Sequence, residues 1–354
     1  MDHARETAMR AAFIEGHGEL DRLKVGELSD PAPGAGEVVV EVAAAALNHL
    51  DIWVRKGRPG LTLTFPHVLG SDATGTVTDV GADVDRSAIG TRVVLNPGLW
   101  CGRCEWCARG EHSECATYSI VGLGRWGTFA QRVTVPAACL APAPDHLTAH
   151  EAAALPLAYL TAWRMLTTRG QLRAGETLLI HGIGGGVAIA GLQLAKLMGA
   201  RAIVTSSKTA KLQRAGELGA DGLIDYAKTQ DVGAEVKRMT QGRGVDLVLD
   251  TTGAGTWPIN FASVRKGGRI VHCGVTTGKI AEVDIAALYW NHVSVVGSTM
   301  GSQDEFRALI AAVSAAKMKP VIDTVFPLAD ARAAQARMEH GEQFGKLVLD
   351  VARR

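Results

Sequence analysis

The sequence lacks the features that send a chain to a membrane, a nucleic acid or the cell exterior. Its longest apolar runs, such as 38–47, fall short of the roughly twenty residues that a bilayer span needs. No block of lysine or arginine occurs, and 37 basic residues against 36 acidic ones leave a formal charge of +1. That balance gives no electrostatic reason to expect a nucleic acid or an anionic membrane as partner. The opening MDHARETAMRAAF carries acids and no extended apolar stretch, so no secretory signal is legible. Its first eight or so residues read as a disordered extension or an alternative start, and the expected location is the cytoplasm. Cysteine is scarce as well: six residues in 354, four of them crowded into 101–115. Clustering of that kind without a secretory signal argues for a metal site rather than a disulfide framework. Cys139 and Cys273 stand alone and read as ordinary buried thiols.

What is present is a soluble globular composition, 47% hydrophobic and 21% charged, at a length that one core seldom organises. Two domains are therefore expected. From Met9 to about Leu155 the chain reads as short strands between Gly/Pro turns. Strand candidates are 37–46 (EVVVEVAAAA), 75–80 and 92–95, a pattern that suggests an antiparallel, barrel-like domain. Helical apolar spacing over 152–166 then opens an alternation. Strands at 177–180, 202–205, 223–224, 245–249, 269–272 and 294–297 are interleaved with helices over 187–198 and up to Leu218. Strands alternating with helices predict a parallel sheet covered on both faces. From Ser302 onward one helix and two strands are legible, too little for a third domain, so the tail is expected to return to the first. The reading is an α/β protein with domains at 9–155 plus 302–354 and at 156–301.

His181–Ala188 reads HGIGGGVA, directly after a strand and opening a helix. Gly182, Gly185 and Gly186 let the backbone approach a pyrophosphate, and the helix start offers free N–H groups. A structural strand-to-helix turn is the plainer alternative, set aside because of the surrounding alternation and the later VDLVLDTTG. Some twenty residues past such a turn an NAD-binding fold usually carries an acid for the ribose 2′-OH. Here Ser206 and Ser207 stand in that place, followed by Lys208 and Lys211. NADP(H) is thus expected over NAD(H), unless these lysines are only a solvated helix face.

Cys101, Cys104, Cys107 and Cys115 give four thiolates within one lobe, 97–118, enough to close a tetrahedral zinc shell. A closed shell leaves no open position, so such a zinc is structural. An iron–sulfur cluster or metal-free thiols are the alternatives.

Together these pieces resemble the medium-chain dehydrogenase/reductase superfamily, which holds the zinc-containing alcohol dehydrogenases and the quinone oxidoreductases. The resemblance runs from Arg10 to Val351 and includes PHVLGSDATGTV, the cysteine lobe, GTFAQRVTVP, the nucleotide turn and GKLVLDV. It implies a GroES-like β-barrel catalytic domain and a Rossmann doubly wound parallel-sheet domain, with the active site in the cleft between them. It further implies cofactor contacts at His49, Thr161, Val187, Lys211, Cys273, Gly274 and Val275, and more weakly at Lys346. Relatives pair through the nucleotide domain, so a homodimer or homotetramer is expected.

The catalytic zinc ligands of the family are missing. Asn48 stands in place of one ligand cysteine, Gly70-Ser71-Asp72 in place of Gly-His-Glu, and Leu157 in place of the later cysteine. The relay serine and histidine match Leu50 and Trp53. Without a Lewis acid a simple alcohol or ketone is a hard substrate, whereas an alkene conjugated to a carbonyl needs only hydrogen-bond donors for its enolate oxygen. The expected activity is NAD(P)H-dependent reduction of an enone, enoyl or quinone substrate. Asn48 is the first candidate donor, and Asp51 and Asp72 are candidate acids or else structural partners of their neighbours. His67 reads as a packing histidine, and Trp53 and Tyr159 as pocket lining or core. An alcohol dehydrogenase with a rebuilt metal site and an inactive NADPH-binding protein are the competing readings.

Overall fold

The computed structural model describes residues 8–352. Of the opening stretch read as an extension, residues 1–7 lie outside the described residues, and Ala8 already begins the strand Ala8–Ile14. The chain divides into two compact units, Met1–Leu157 with Gly301–Arg354, and Ala158–Met300.

The first unit is built on the strand Glu37–Ala46, whose valines and alanines pack on both sides. It pairs antiparallel with Asp72–Val80, Arg132–Pro136 and Lys346–Asp350. Register shifts between Val39/Val40 and Val42/Ala44 are bulges that bend this long strand, as closure of a barrel requires. Ile322–Pro327 extends the sheet beyond Lys346–Asp350, and Arg92–Leu95 with Leu140–Pro142 extends its other side. A smaller sheet joins Leu23–Ser29, Ala8–Ile14 and His67–Val68. Between them lies a core that includes Phe13, Ile14, Leu47, Leu69, Phe129 and Leu347. Gly70 sits at φ +97°, where an added Cβ would come within 2.3 Å of the Phe129 ring. Only glycine fits that turn, and the turn delivers Ser71 and Asp72 to the barrel interior.

Register then decides what meets Asn48. Asp72 pairs with Ala46, and Val348 pairs with Ala46 from the other side. Continued by two residues, the second pairing carries Lys346 opposite Asn48. Asn48 ends the strand run and is the N-cap of the helix His49–Lys56. The buried Arg55 ties that helix to the tail, donating to Gln335 Oε1 at 2.7 Å, Gly18 O at 2.8 Å and Glu339 Oε1 at 2.7 Å.

The second unit is a six-stranded parallel sheet. Its order is Gly222–Asp225, Arg201–Ser206, Thr177–Ile180, Val245–Asp250, Val264–His272, Ser294–Gly297. The sequence of strands runs outward in both directions from Thr177–Ile180, the doubly wound arrangement that puts ligands at the carboxyl ends of the strands. The central strands are buried along their length, as a sheet covered on both faces requires.

Two expectations are corrected. The helical spacing over 152–166 is not one helix: Ala149–Ala153 ends before Pro156, which starts Pro156–Arg164, and a π-helical turn Met165–Arg169 follows. Proline has no N–H to continue the first helix and is well suited to begin the second. The tail holds two helices rather than one, Gln303–Ala316 and Ala331–Glu339. The second turns alanines inward, a stripe too weakly apolar to register as a helical face in the sequence.

Candidate functional site

In the first unit three segments far apart in sequence meet at Asn48. Its Nδ2 donates to Asp72 Oδ2 at 2.9 Å, and its backbone N–H donates to Asp51 Oδ2 at 2.7 Å. Leu157 N–H donates to Asp72 Oδ1 at 2.8 Å. Asn48, Asp72 and Leu157 are the positions aligned above with missing zinc ligands or their segment, and the fold brings them together. At their centre lies an ammonium. Lys346 Nζ is 2.7 Å from Leu47 O, 2.7 Å from Asn48 Oδ1 and 2.9 Å from Asp72 Oδ2. Those three acceptors use its three N–H groups, so Lys346 serves this cluster instead of reaching for a nucleotide. Its side chain is 3% exposed and that of Asp72 fully buried.

A catalytic zinc does not fit this cluster. The donors are an amide, a carboxylate and a peptide carbonyl around a positive charge, not the thiolates and imidazoles that hold zinc. Asp72 accepts three hydrogen bonds, one of them from the ammonium. Asp51 differs. Burial pushes its carboxyl up to about 7, the Asp72 charge adds to the rise, and the Asn48 N–H and the Lys346 ammonium oppose it. One ammonium neutralises one of the two acids, and the other keeps its proton to near neutrality.

The remaining candidates around this cluster sort clearly. His49 is exposed and faces Trp53 with ring centroids 6.5 Å apart; Trp53 is also exposed. His67 is buried and bonds Gly122 O at 3.0 Å through Nε2, a packing role. Ser71 Oγ donates to Val121 O at 2.8 Å, turned away to the next loop.

In the second unit the segment after Thr177–Ile180 forms an open cradle. Gly182 and Gly184 lie at φ +63° and +132°, conformations that favour glycine, and Gly185 caps the twelve-residue helix Gly186–Leu197. A Cβ at Gly185 would meet nothing within 4 Å, so the space above the turn is free for a phosphate. Val187 is half-buried in the first turn of that helix. The turn is anchored to the next strand end: Ile183 N–H donates to Thr205 O at 2.8 Å. Ser206 Oγ accepts from Lys208 N–H at 3.1 Å, and Ser207 is exposed beside it. A Cβ at Gly184 would lie 3.0 Å from Lys211 Nζ, so this ammonium already rests against the glycine turn. These residues suit a dinucleotide. Thr161 is buried and donates to Met300 Sδ at 3.7 Å. Cys273 is half-buried and donates its N–H to Asp250 O at 2.9 Å, while Gly274 at φ +94° turns the chain toward the exposed Val275. Tyr159 is core: its hydroxyl donates to Gln193 and its ring is buried.

The four cysteines of the lobe converge. Their sulfurs all lie within 4.8 Å of one another, with Cys101–Cys107 at 3.9 Å and Cys104–Cys107 at 3.5 Å. A zinc–sulfur bond of about 2.3 Å in a tetrahedron sets sulfurs about 3.8 Å apart, so the cluster fits zinc. Cys101 N–H points at Cys115 Sγ at 3.3 Å, an orientation that stabilises a ligating thiolate.

Comparison with known proteins agrees with this geometry. Residues 34–145 match the alcohol dehydrogenase GroES-like domain, and residues 186–315 match the zinc-binding dehydrogenase family. A zinc-type alcohol dehydrogenase-like protein of Schizosaccharomyces pombe is 34% identical, over 94% of this chain and 96% of its own. The chain belongs to the medium-chain dehydrogenase/reductase superfamily. The crystal structure of an NAD-dependent alcohol dehydrogenase superposes with a TM-score of 0.93 at 43% identity, covering 97% of this chain and 100% of that one. A crotonyl-CoA carboxylase/reductase of Cereibacter sphaeroides is 30% identical over 92% of this chain and 82% of its own. As an oxidoreductase of this superfamily, the chain keeps the structural zinc lobe and lacks the catalytic ligands. Elemental analysis of the purified dehydrogenase/reductase is expected to give one zinc per chain. Cys104→Ser should lose it and lower Tm; a second equivalent that survives in that variant would reveal a metal site elsewhere.

Two buried groups of this dehydrogenase/reductase escaped the sequence reading. Lys346 was legible only as a weak cofactor match, although a lysine inside the apolar strand KLVLD already signals a buried partner. Asp250 is legible in the sequence only as part of the strand VDLVLD. It is buried and accepts from Thr252 N–H at 2.7 Å, Thr256 Oγ1 at 2.7 Å and Asn260 Nδ2 at 2.6 Å, which fixes the loop after its strand. Among the described residues no helix is long and apolar enough to cross a membrane.

Proposed function

We propose that this protein is an NADPH-dependent reductase of a carbon–carbon double bond conjugated to a carbonyl, working without a catalytic metal. The observation that carries the reading is the Lys346 ammonium seated among Asn48, Asp72 and Leu47 O, in the segments where the family holds its zinc. The nicotinamide, when bound, supplies hydride to the β-carbon of the substrate. Negative charge then moves to the carbonyl oxygen, which needs a fixed donor. Asn48 is that donor: Lys346 holds its Oδ1 and Asp72 one Nδ2 hydrogen, which orients the amide and leaves the second hydrogen for the enolate oxygen. Asp51 holds a proton to about pH 7; it gives that proton to the α-carbon of the enolate, and the carboxylate left behind is reprotonated from water. Asp72 is the anion that keeps the amide and the ammonium in register. The likeness to a crotonyl-CoA carboxylase/reductase supports an activated alkene as substrate class.

The choice of NADPH rests on Ser206, Ser207 and Lys211, which offer hydroxyls and a positive charge where a carboxylate would repel a 2′-phosphate. The deciding assay follows NADPH oxidation with a panel of enones, enoyl thioesters and quinones, with and without a chelator. Turnover that resists the chelator and prefers NADPH to NADH is expected. Alcohol-dependent NAD+ reduction that the chelator abolishes would replace this reading with an alcohol dehydrogenase. NADPH binding without oxidation of any substrate would mark an inactive relative.

The same reading includes a homodimer. The edge strand Ser294–Gly297 has one side unpaired by any described strand, and Val295 on it is exposed. Nearby in sequence, Ile285, Tyr289 and Trp290 of the helix Ile285–Trp290 are 71%, 64% and 71% exposed. An open edge with large apolar neighbours is a surface that natural proteins cover. Val295→Lys is expected to convert the dimer to monomer in sedimentation equilibrium; a wild type that already sediments as a monomer refutes the dimer.

A further inference from the structure

The position of Lys346 Nζ has the character of a cation site in its own right. Three oxygens of different kinds converge on it: a peptide carbonyl (Leu47), an amide (Asn48) and a carboxylate (Asp72), at 2.7, 2.7 and 2.9 Å. None of them belongs to the strand that carries the lysine. Two of the oxygens are held independently of it, Asp72 by Leu157 N–H and by its place in the strand Asp72–Val80, and Leu47 O by the junction of strand and helix, while the Asn48 amide keeps its Nδ2 bond to Asp72. Leu47 N–H is itself bonded to Leu347 O at 2.9 Å. A cradle fixed by its own backbone partners outlasts the removal of its occupant. Burying an ammonium is costly unless every N–H is met, and here all three are met.

We propose that this cradle is a binding site for a primary ammonium group, filled in the native protein by a tethered one, and that Lys346 thereby decides which cation the pocket holds. The geometry selects an N–H donor over magnesium, calcium or zinc. The oxygens stand at hydrogen-bond distances, longer than the roughly 2.0–2.6 Å at which oxygen ligands hold magnesium or calcium, and sulfur and imidazole donors are lacking. The inference does not depend on the substrate or on the proposed reaction.

Truncating Lys346 to alanine removes Cγ, Cδ, Cε and Nζ, four heavy atoms that n-propylammonium replaces one for one. The expected result is that n-propylammonium chloride raises the Tm of Lys346→Ala saturably by roughly 3 °C or more, and leaves wild type unmoved against sodium chloride of equal strength. Propanol, the same shape without charge, and tetramethylammonium, a charge without N–H, should give little of this rise. Equal shifts in wild type and variant, or propanol as effective as the amine, overturn the proposal. The double variant Lys346→Ala/Asp72→Asn supplies a second measurement, because it removes the anion with its cation. It should be more stable than Lys346→Ala and indifferent to propylammonium, and that order holds even if the single variant fails to accumulate. A double variant less stable than the single one contradicts an ammonium site built around Asp72.

Discussion

Asn48→Ala should lower kcat on an enone substrate by about 10²–10³-fold while KM changes little. The size follows from the role. A donor aimed at the oxygen where charge develops acts chiefly in the transition state, and loss of one such donor costs about 2.7–4 kcal/mol of barrier. The amide is suited to that role because both of its ends are held. Oδ1 accepts from Lys346 and Nδ2 donates to Asp72, so the group cannot flip without losing both bonds. The same bonds give the variant a stability cost. Removing the amide leaves Lys346 and Asp72 each short of one partner in a buried place, a penalty of about 1–3 kcal/mol. The two effects separate by experiment. Thermal melts report the second, and single-turnover hydride transfer at a temperature where the variant is folded reports the first. A folded variant with a loss below about threefold removes Asn48 from the chemistry, and the donor must then be sought elsewhere.

Much of the architecture could be read from the chain because its rules are local. A parallel strand buried on both faces is a run such as TLLI or VDLVLD, a phosphate turn is a glycine cluster between strand and helix, and a metal lobe is a set of cysteines close in sequence. Each signal lies within a few residues of its partners. The central contact of the candidate site is of the other kind. Lys346 and Asn48 are 298 positions apart, and only the register of the closing strand against Glu37–Ala46 sets them face to face. The sequence shows that zinc ligands are absent, but not that a lysine arrives in their place. Likewise Asp51 and Asp72 look alike as neighbours of Asn48. Their difference comes from partners, three hydrogen bonds with an ammonium for one and burial beside a like charge for the other. The helix Ala331–Glu339 escaped for a third reason: its inward residues are two alanines, Gln335 and Met338, so its buried face carries a single large apolar side chain.

The difference between the two acids makes the second large expectation, which concerns pH. In the unfolded chain Asp51 ionises near its ordinary 3.8, and in the folded chain near 7. Between those values the folded state binds the extra proton. The contribution of this group is therefore fully present below about pH 4 and is lost as pH rises through 7. A gap of about 3 pH units at 1.36 kcal/mol each puts the loss at up to about 4 kcal/mol above pH 8. Asp51→Asn cannot ionise, and its side-chain oxygen can still accept the Asn48 N–H that Asp51 accepts at 2.7 Å. The variant should thus match wild type near pH 3.5, become progressively more stable than wild type up to about pH 7 and keep that advantage at pH 8.5, in denaturant melts run at both ends. Activity should move the opposite way: the wild-type fall in kcat above pH 7 should vanish, leaving a low, flat profile, because the buried proton is no longer there to give. If wild type instead gains on the variant as pH rises, Asp51 is ionised in the folded protein at neutral pH, and the proton must come from water. A pocket with two carboxylates and one ammonium would carry net negative charge where an enolate must form, and that is the situation the retained proton avoids.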